Sequence, residues 1–89
     1  MSVRRITLDP DAKKRISFDW TPWLTNESTS ISSFVLTPST GVTIHSDDET
    51  GGVVTALVSA EASGRVTCHI VCADAQEDDK TMYISVRDA

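Results

Sequence analysis

Apolar and polar residues alternate along most of this chain with a period of two, the pattern of β-strands that bury one face. The alternation is regular at residues 14–20 and 65–73, and a run of β-branched and small apolar residues at 53–59 indicates a central strand. Further strands are predicted at residues 31–37, 42–45 and 81–87, and residues 3–8 form either a short edge strand or an extended arm. With turn residues between these segments, the pattern predicts an all-β fold, an antiparallel β-sandwich of six to seven short strands.

The segment at residues 18–24 departs from this alternation and holds both tryptophans of the chain. Thr21 and Pro22 end the strand, because proline has no N–H for the sheet. They start a single predicted helical turn with Pro22 at its first position, and the residues that follow fold back over the core. We expect Trp20 to fill the core. Trp23 is either a second core ring or an exposed anchor for a binding partner.

The chain has 89 residues, enough for one domain with its own hydrophobic core. It contains no run of about 20 apolar residues, so no membrane-spanning segment and no membrane partner are predicted. The first residues carry charge but no following apolar block, which is unlike a secretory signal. Synthesis in a cytoplasm is therefore expected.

The net charge of −5 is unevenly distributed along the chain. Five of the eight basic residues lie within the first 15 positions, whereas the chain from Thr21 onward has three basic and ten acidic residues. An acidic body disfavours nucleic-acid binding, which needs a positive face. The basic head is expected to dock on an acidic surface of a partner protein, and contact with nucleic acid is the alternative.

No group of residues in the sequence points to catalysis or to a dedicated metal site. Cys68 and Cys72 lie on one predicted strand with their Cα atoms about 13 Å apart, beyond the reach of a disulfide, and both are expected to be buried thiols. His45 and His69 differ in parity from the neighbouring isoleucines and are expected to face solvent. No serine lies in a recognisable nucleophile elbow. We therefore expect no catalytic residues, no metal ligands and no cofactor.

Two acidic clusters are predicted to be solvated loops. They are Asp47-Asp48-Glu49, within a charged turn at residues 47–52, and Glu77-Asp78-Asp79, within a loop at residues 74–80. Carboxylate oxygens are ligands for calcium, but neither cluster has the alternating spacing of a dedicated calcium loop. A weak ion site between two adjacent loops is the alternative.

The Asp-Trp-x-x-Trp-Leu cluster at residues 19–24 is a specific motif. The pieces that accompany it, in order, are Asp9-Pro10-Asp11, Phe18, Phe34-Val35-Leu36-Thr37-Pro38, Ser63-Gly64 before a strand that contains Thr67, and Ile84-Ser85-Val86-Arg87. From about Leu8 to its end, the chain thereby resembles the fibre–tail adaptor proteins, small tail proteins of tailed bacteriophages.

The resemblance implies an Ig-like β-sandwich that is a non-enzymatic structural part of a virion, placed on the tail where fibres or spikes attach. The implied partners are other virion proteins, namely tail tube or connector subunits and fibre or spike subunits, with multiple copies in a symmetric ring. One alternative is a capsid decoration or cement protein. Another is a carbohydrate-binding adhesion module, which needs exposed aromatic rings such as Trp23 and Tyr83.

We divide the chain into an extended N-terminal arm at residues 1–11 and an Ig-like β-sandwich domain at residues 12–89. The arm is expected to lie on a neighbouring subunit, where it adds a strand to a sheet edge. A frayed terminus is the alternative. If the arm is separate from the domain, deleting residues 1–8 leaves the melting temperature of the domain nearly unchanged.

Five residues are expected to contact partners. Arg4 and Arg5 are predicted to pair with carboxylates of the neighbour, and Ile6 and Leu8 to fill apolar slots there. Trp23 is the remaining predicted contact, at the other end of the first long strand.

Overall fold

The computed structural model describes residues 3–10 and 12–87, without the side chains of Val3 and Arg4. These residues form seven strands and one short helix. The elements are β1 (Val3–Leu8), β2 (Lys14–Asp19), α1 (Thr21–Glu27), β3 (Ile31–Pro38), β4 (Val42–Thr50), β5 (Val53–Ala60), β6 (Gly64–Cys72) and β7 (Glu77–Val86). The prediction of an all-β sandwich is confirmed.

The strands form two sheets that pack face to face. One sheet has four strands in the order β1-β7-β6-β3, and the other has three strands in the order β2-β5-β4. Neighbouring strands are antiparallel except β1 and β7, which run parallel. The alternation in the sequence predicts strands but not this parallel pair, because strand direction depends on which neighbour a strand finds.

The strand order gives the sandwich two sides and two ends. The edge strands β1 and β2 lie along one side, and the edge strands β3 and β4 lie along the other. Helix α1 and the β4–β5 and β6–β7 turns lie at one end, which we call the helix end. The β3–β4 and β5–β6 turns lie at the opposite end.

The core is formed by inward-facing side chains of both sheets and one residue of α1. Its buried members are Leu8, Ile16, Phe18, Trp20, Leu24, Val42, Val54, Ala56, Val58, Ala60, Val66, Cys68, Ile70, Cys72, Met82 and Ile84. The two cysteines are free thiols, as predicted. Trp20 is the bulkiest fully buried side chain, with 1% of its surface exposed. The prediction that its ring fills the core is confirmed.

Helix α1 is longer than the single predicted turn, because it continues to Glu27. Pro22 lies in its first turn as predicted, where its missing N–H leaves no bond unmade. The N-cap residue is Trp20 rather than Thr21. Ser28 ends the helix in the left-handed conformation, with φ of 52°. Within the described residues, no helix has the length and apolar character needed to cross a membrane.

Two segments expected to be acidic loops are largely strands. Strand β4 continues through Asp47-Asp48-Glu49 to Thr50, and β7 begins at Glu77 rather than at Thr81. Consecutive carboxylates hide the alternation in the sequence, but these segments pair with β5 and β6 respectively. Charged residues are tolerated on β4 because it is an edge strand, where they also discourage unwanted strand pairing.

Val3–Leu8 is an edge strand of the chain's own four-stranded sheet, which is the first of the two alternatives for this segment. It pairs with β7 along its whole length. Leu8 is 0% exposed, because the inward face of β1 closes the core at the opposite end. Met1, Ser2 and Asp11, which belong to the proposed arm, lie outside the described residues.

Candidate assembly interface

Strand β1 points its residues in two directions. Arg5 is exposed, and its guanidinium carbon lies 5.9 Å from the centroid of the Tyr83 ring, which is itself 37% exposed on the outer face of the sheet. Ile6 is half-buried against the core, and Leu8 fills a slot in the core of its own chain rather than presenting a surface to a neighbour. The predicted role of the Arg4 side chain lies outside what the structure describes. Among Arg5, Ile6 and Leu8, whose side chains the structure describes, Arg5 is the exposed one.

A shallow groove of about 230 Å³ opens between β1 and β2 along their side of the sandwich. Its lining residues are Arg5, Ile6, Arg15, Ile16, Ser17 and Met82. The isoleucines and the methionine give it an apolar floor, and one arginine stands on each strand beside it. Because Ile16 and Met82 are almost fully buried, the exposed lining is more polar than apolar, and the two arginines make the groove suited to a carboxylate.

Trp23 lies at the helix end and packs edge-to-face against Trp20, with ring centroids 6.1 Å apart and an interplanar angle of 72°. Its ring is half-buried, so it is neither a fully enclosed core residue nor a freely exposed anchor. Lys80 covers the other ring, with Nζ 4.6 Å from the Trp20 centroid, and donates a hydrogen bond to the carbonyl of Asp19 at 2.5 Å. This lysine joins β7 to β2 across the end of the sandwich.

A wider groove of about 580 Å³ lies at the helix end, between α1, the connection to β3 and the β4–β5 turn. Leu24 and Ile31 give it an apolar part. Hydroxyl groups line much of the rest, from Thr21, Thr25, Ser28, Thr29 and Ser30. Glu49 adds a carboxylate, and its Oε2 accepts a hydrogen bond from the N–H of Gly52 at 3.0 Å. The exposed lining of the groove is more apolar than polar, so it is suited to a partner segment with an apolar face and polar groups beside it.

His69 is held between two carboxylates on the outer face of the four-stranded sheet. Its Nδ1 lies 2.5 Å from Asp79 Oδ1, and its Nε2 lies 2.8 Å from Glu77 Oε1. The geometry fits a protonated ring, in which both nitrogens donate hydrogen bonds to carboxylate oxygens. The hydrogen bonds to Asp79 and then to Glu77 raise the pKa of His69 above its ordinary value. This cluster links β6 to β7.

A serine–histidine pair lies on the three-stranded sheet, where His45 Nε2 is 2.7 Å from Ser59 Oγ. Both groups are on an open sheet surface, and no carboxylate hydrogen-bonds to His45 among the described residues. Within that same part of the chain, no three His, Cys, Asp or Glu side chains converge as metal ligands.

The two thiols are poor nucleophiles because of where they lie. Burial raises the pKa of Cys68 to about 11, an effect that the Trp20 indole partly offsets. Burial, followed by the charges of Asp74 and Asp78, raises the pKa of Cys72. Neither thiol forms the reactive thiolate at neutral pH.

Among the described residues, one end of the sandwich is acidic and the other has more basic than acidic side chains. Carboxylates at the helix end come from Asp19, Glu27, Glu49, Asp74, Glu77 and Asp78, with Lys80 among them. Basic residues at the opposite end are Lys13, Lys14, Arg65 and Arg87, with Asp9 and Glu61 nearby. The two ends thus offer different electrostatic surfaces to other proteins.

Sequence reasoning placed His69 on the solvent side correctly but missed its two partners. The register of β6 and β7 sets His69 opposite Asp79, with Glu77 two residues further along the same face. The signal was present, because the predicted strand and the acidic segment after it are separated by a short turn, which is the arrangement of a hairpin. Predicting the uneven charge of the two ends requires the strand order as well, and the sequence pattern does not provide it.

Comparison with known proteins identifies the family. No curated protein matches the chain. The family model described as podophage GP4 fiber-tail adaptor protein gp77 matches residues 8–85, from the last residue of β1 almost to the end of β7. The resemblance seen in the Asp-Trp-x-x-Trp-Leu cluster and its companions is thereby confirmed. Because the match covers most of the chain, the protein belongs to this family of podophage fiber-tail adaptor proteins, which are structural proteins of the phage tail.

Proposed function

We propose that this protein is a non-enzymatic adaptor that joins tail fibres or spikes to the phage tail by protein–protein contacts. The observation that carries the proposal is the match to the fiber-tail adaptor family over residues 8–85. The His45–Ser59 pair lies on an open sheet surface, and among the described residues no carboxylate hydrogen-bonds to His45. This setting supports a role without catalysis, because an activated serine needs an oriented base and a site for the developing oxyanion.

The sandwich is proposed to be Ig-like. Strands β2, β5 and β4 form one sheet and β7, β6 and β3 belong to the other, which corresponds to the BED and GFC arrangement of Ig domains when strands are lettered in chain order. Strand β1 joins the second sheet beside β7. Such a scaffold leaves its ends and edges free for contacts.

The two ends supply the two surfaces that an adaptor needs. The acidic helix end, with its hydroxyl-lined groove and the half-buried Trp23, suits a neighbour that presents basic and polar groups. The basic opposite end suits a neighbour that presents carboxylates. One of these neighbours is proposed to be a tail tube or connector subunit and the other a fibre or spike subunit, with several copies of the adaptor arranged in a symmetric ring.

The N-terminal segment is proposed to contribute to a contact through Arg5 rather than through Leu8. Arg5 lies in the open beside Tyr83, whereas Leu8 becomes available only if β1 separates from β7. Docking of a detached arm on a neighbouring sheet edge therefore requires that six residue pairs with β7 be exchanged for pairs with the neighbour.

The proposal is tested with phage particles grown with and without a functional copy of this gene. We expect particles made without the protein to carry tails that lack fibres or spikes, and a plasmid copy of the gene to restore them. Electron microscopy of negatively stained particles and mass spectrometry of their proteins measure both outcomes. Particles that contain normal fibres in the absence of the protein contradict the proposal.

Labelled antibody against the protein distinguishes the alternatives on intact particles. Label confined to the tail, with a copy number that matches one ring, supports the adaptor. Label over the capsid, with a copy number that scales with the capsid surface, supports a decoration protein instead. Binding of the isolated protein to a glycan array would favour an adhesion module.

A further inference from the structure

The two sides of the sandwich carry opposite charges. On the β1/β2 side, Arg5 and Arg15 flank the groove between the two strands, and Lys14 lies next to Arg15 at the start of β2. All three are exposed. Arg5, Lys14 and Arg15 form no ion pair within the described part of the chain, where both ion pairs involve His69.

The β3/β4 side is acidic on one strand and uncharged on the other. Strand β4 carries Asp47, Asp48 and Glu49 in succession, and a bulge between Ile44 and Ser46 precedes them. Strand β3 has no charged residue along its whole length. None of the three carboxylates takes part in an ion pair among the described residues. These carboxylates alternate between the two faces of β4 beside a neutral strand, and Asp47 and Asp48 line a shallow groove on the three-stranded sheet together with Arg15 of the same chain.

We propose that the β1/β2 side of one copy packs against the β3/β4 side of the next copy. The basic residues beside the groove then face the carboxylates of β4. The contact joins two different surfaces of the same chain, so it is heterologous and repeats from copy to copy until a ring closes. This inference rests on the proposed adaptor function and identifies the surfaces by which its copies meet.

The contact is expected to be weak between two free copies. Exposed charge pairs contribute little individually and are screened by salt. In a closed ring every copy is held on both sides, so contacts that are weak in pairs become stable together. Association in solution is therefore expected at high protein concentration and at about 0.01 M ionic strength, where the screening length is about 30 Å.

Cysteine cross-linking tests which surfaces meet. Ser17 on β2 and Ser46 on β4 are exposed and uncharged, and the two native thiols are buried. We expect a mixture of the S17C and S46C variants to form disulfide-linked dimers under mild oxidation, and neither variant alone to do so. The S17C/S46C double variant is expected to form ladders of higher oligomers. A mixture of S17C with N26C, which places the second thiol on α1, is the control.

Charge reversal tests the chemistry of the same contact. Arg15→Glu and Asp48→Lys are each expected to weaken association by about tenfold or more, because like charges then face each other. A mixture of the two variants regains it, because the reversed sides complement each other. Arg65→Glu and Glu61→Lys carry the same changes of net charge away from both sides and are expected to leave association unchanged.

The failure of this inference is distinguishable from the failure of the adaptor function. Cross-linking of S17C with S46C no stronger than that of the control pair, both in solution and in purified particles, overturns the side-to-side contact. Cross-linking by S17C alone indicates a symmetric dimer and also overturns it. Fibres that remain on such particles leave the adaptor function intact, whereas fibres on particles without the protein overturn that function itself.

Discussion

The two ends of this sandwich are closed by different means. At the helix end a single large ring, Trp20, fills the space between the sheets, with α1 packed over it and Lys80 across its face. At the opposite end, small residues of the β3–β4 and β5–β6 turns pack closely against each other. A Cβ on Gly64 would lie 2.9 Å from Val42 Cγ2, and Ser39 Oγ accepts a hydrogen bond from the N–H of Arg65 at 2.9 Å.

The difference shows where single substitutions matter. A closure made by one ring concentrates stability in one side chain, whereas a closure made by several strands distributes it. The residues that close the helix end are also close together in the sequence, since Trp20 lies just before α1 and Leu24 lies within it. The opposite end depends on β1, whose pairing with β7 joins the two extremes of the described chain.

Trp20→Ala is expected to lower the free energy of unfolding by about 3–5 kcal/mol, the usual cost of removing a large buried ring. That is a large part of the stability of a small domain. Urea denaturation followed by circular dichroism measures the change. Trp23→Ala is the matched control and is expected to cost less, because its ring is half-buried. Equal costs for the two variants would show that the helix end does not depend on one ring.

Leu8→Ala is expected to lower the free energy of unfolding by about 2–3 kcal/mol, near the lower limit for a buried leucine because an edge strand can relax around the cavity. Thr7→Ala, at an exposed position on the same strand, is expected to change it little. Thermal melting of both variants measures the difference. A melting temperature unchanged by Leu8→Ala would show that β1 is an arm separate from the domain. Because β1 pairs with β7 and buries Leu8, deletion of residues 1–8 is expected to destabilise the domain.

Gly52→Ala is expected to cost about 2 kcal/mol, because the usual penalty of about 1–2 kcal/mol for a side chain in a left-handed backbone conformation is joined by a collision of the methyl group with Leu24. Gly52 has φ of +92°, and a Cβ there would lie 2.8 Å from Leu24 Cδ1. Gly51→Ala is the control, since its φ is also positive but its Cβ would meet nothing within 4 Å. Denaturant melts of both variants measure the difference, and an equal cost would mean that α1 shifts freely to admit the methyl group.

The pH dependence contributed by His69 is expected to be the smallest effect, because the cluster is exposed. Its pKa is raised in the folded protein by Asp79 and Glu77. The stabilisation is therefore fully present below the unfolded pKa of about 6.5 and is lost as pH rises through the higher folded pKa. Melting curves of the wild type and His69→Gln across this range measure it. A difference between the two that does not shrink with rising pH contradicts the charged cluster.

Much of the fold is predictable from local pattern, and the exceptions have a common cause. Strands β5 and β6 and the burial of Trp20 follow from alternation and ring size. The strand segments at residues 47–50 and 77–80 were expected to be loops because runs of carboxylates conceal their period. Their structure depends on pairing partners distant in sequence, and a local window does not contain those partners.

The candidate interface is less predictable for the same reason. Arg5 and Trp23 are recognisable in the sequence as groups that partners use, but Leu8 has the same apolar character whether it meets a neighbour or its own core. The opposite charges of the two sides appear only when β1 is known to lie beside β2 and β3 beside β4. Sequence pattern thus identifies the chemical groups, and topology decides which of them share a surface.

The two cysteines on the inward face of β6 also bear on the life cycle of the particle. We expect a phage tail protein to be made in the reducing interior of a host cell and to meet oxidising conditions after release, where exposed thiols oxidise. Cys68 and Cys72 are enclosed in the core, and the pKa of Cys68 is raised to about 11. The protein can therefore pass from one environment to the other without forming covalent links to its neighbours, and the released particle keeps the bonding pattern with which it was assembled.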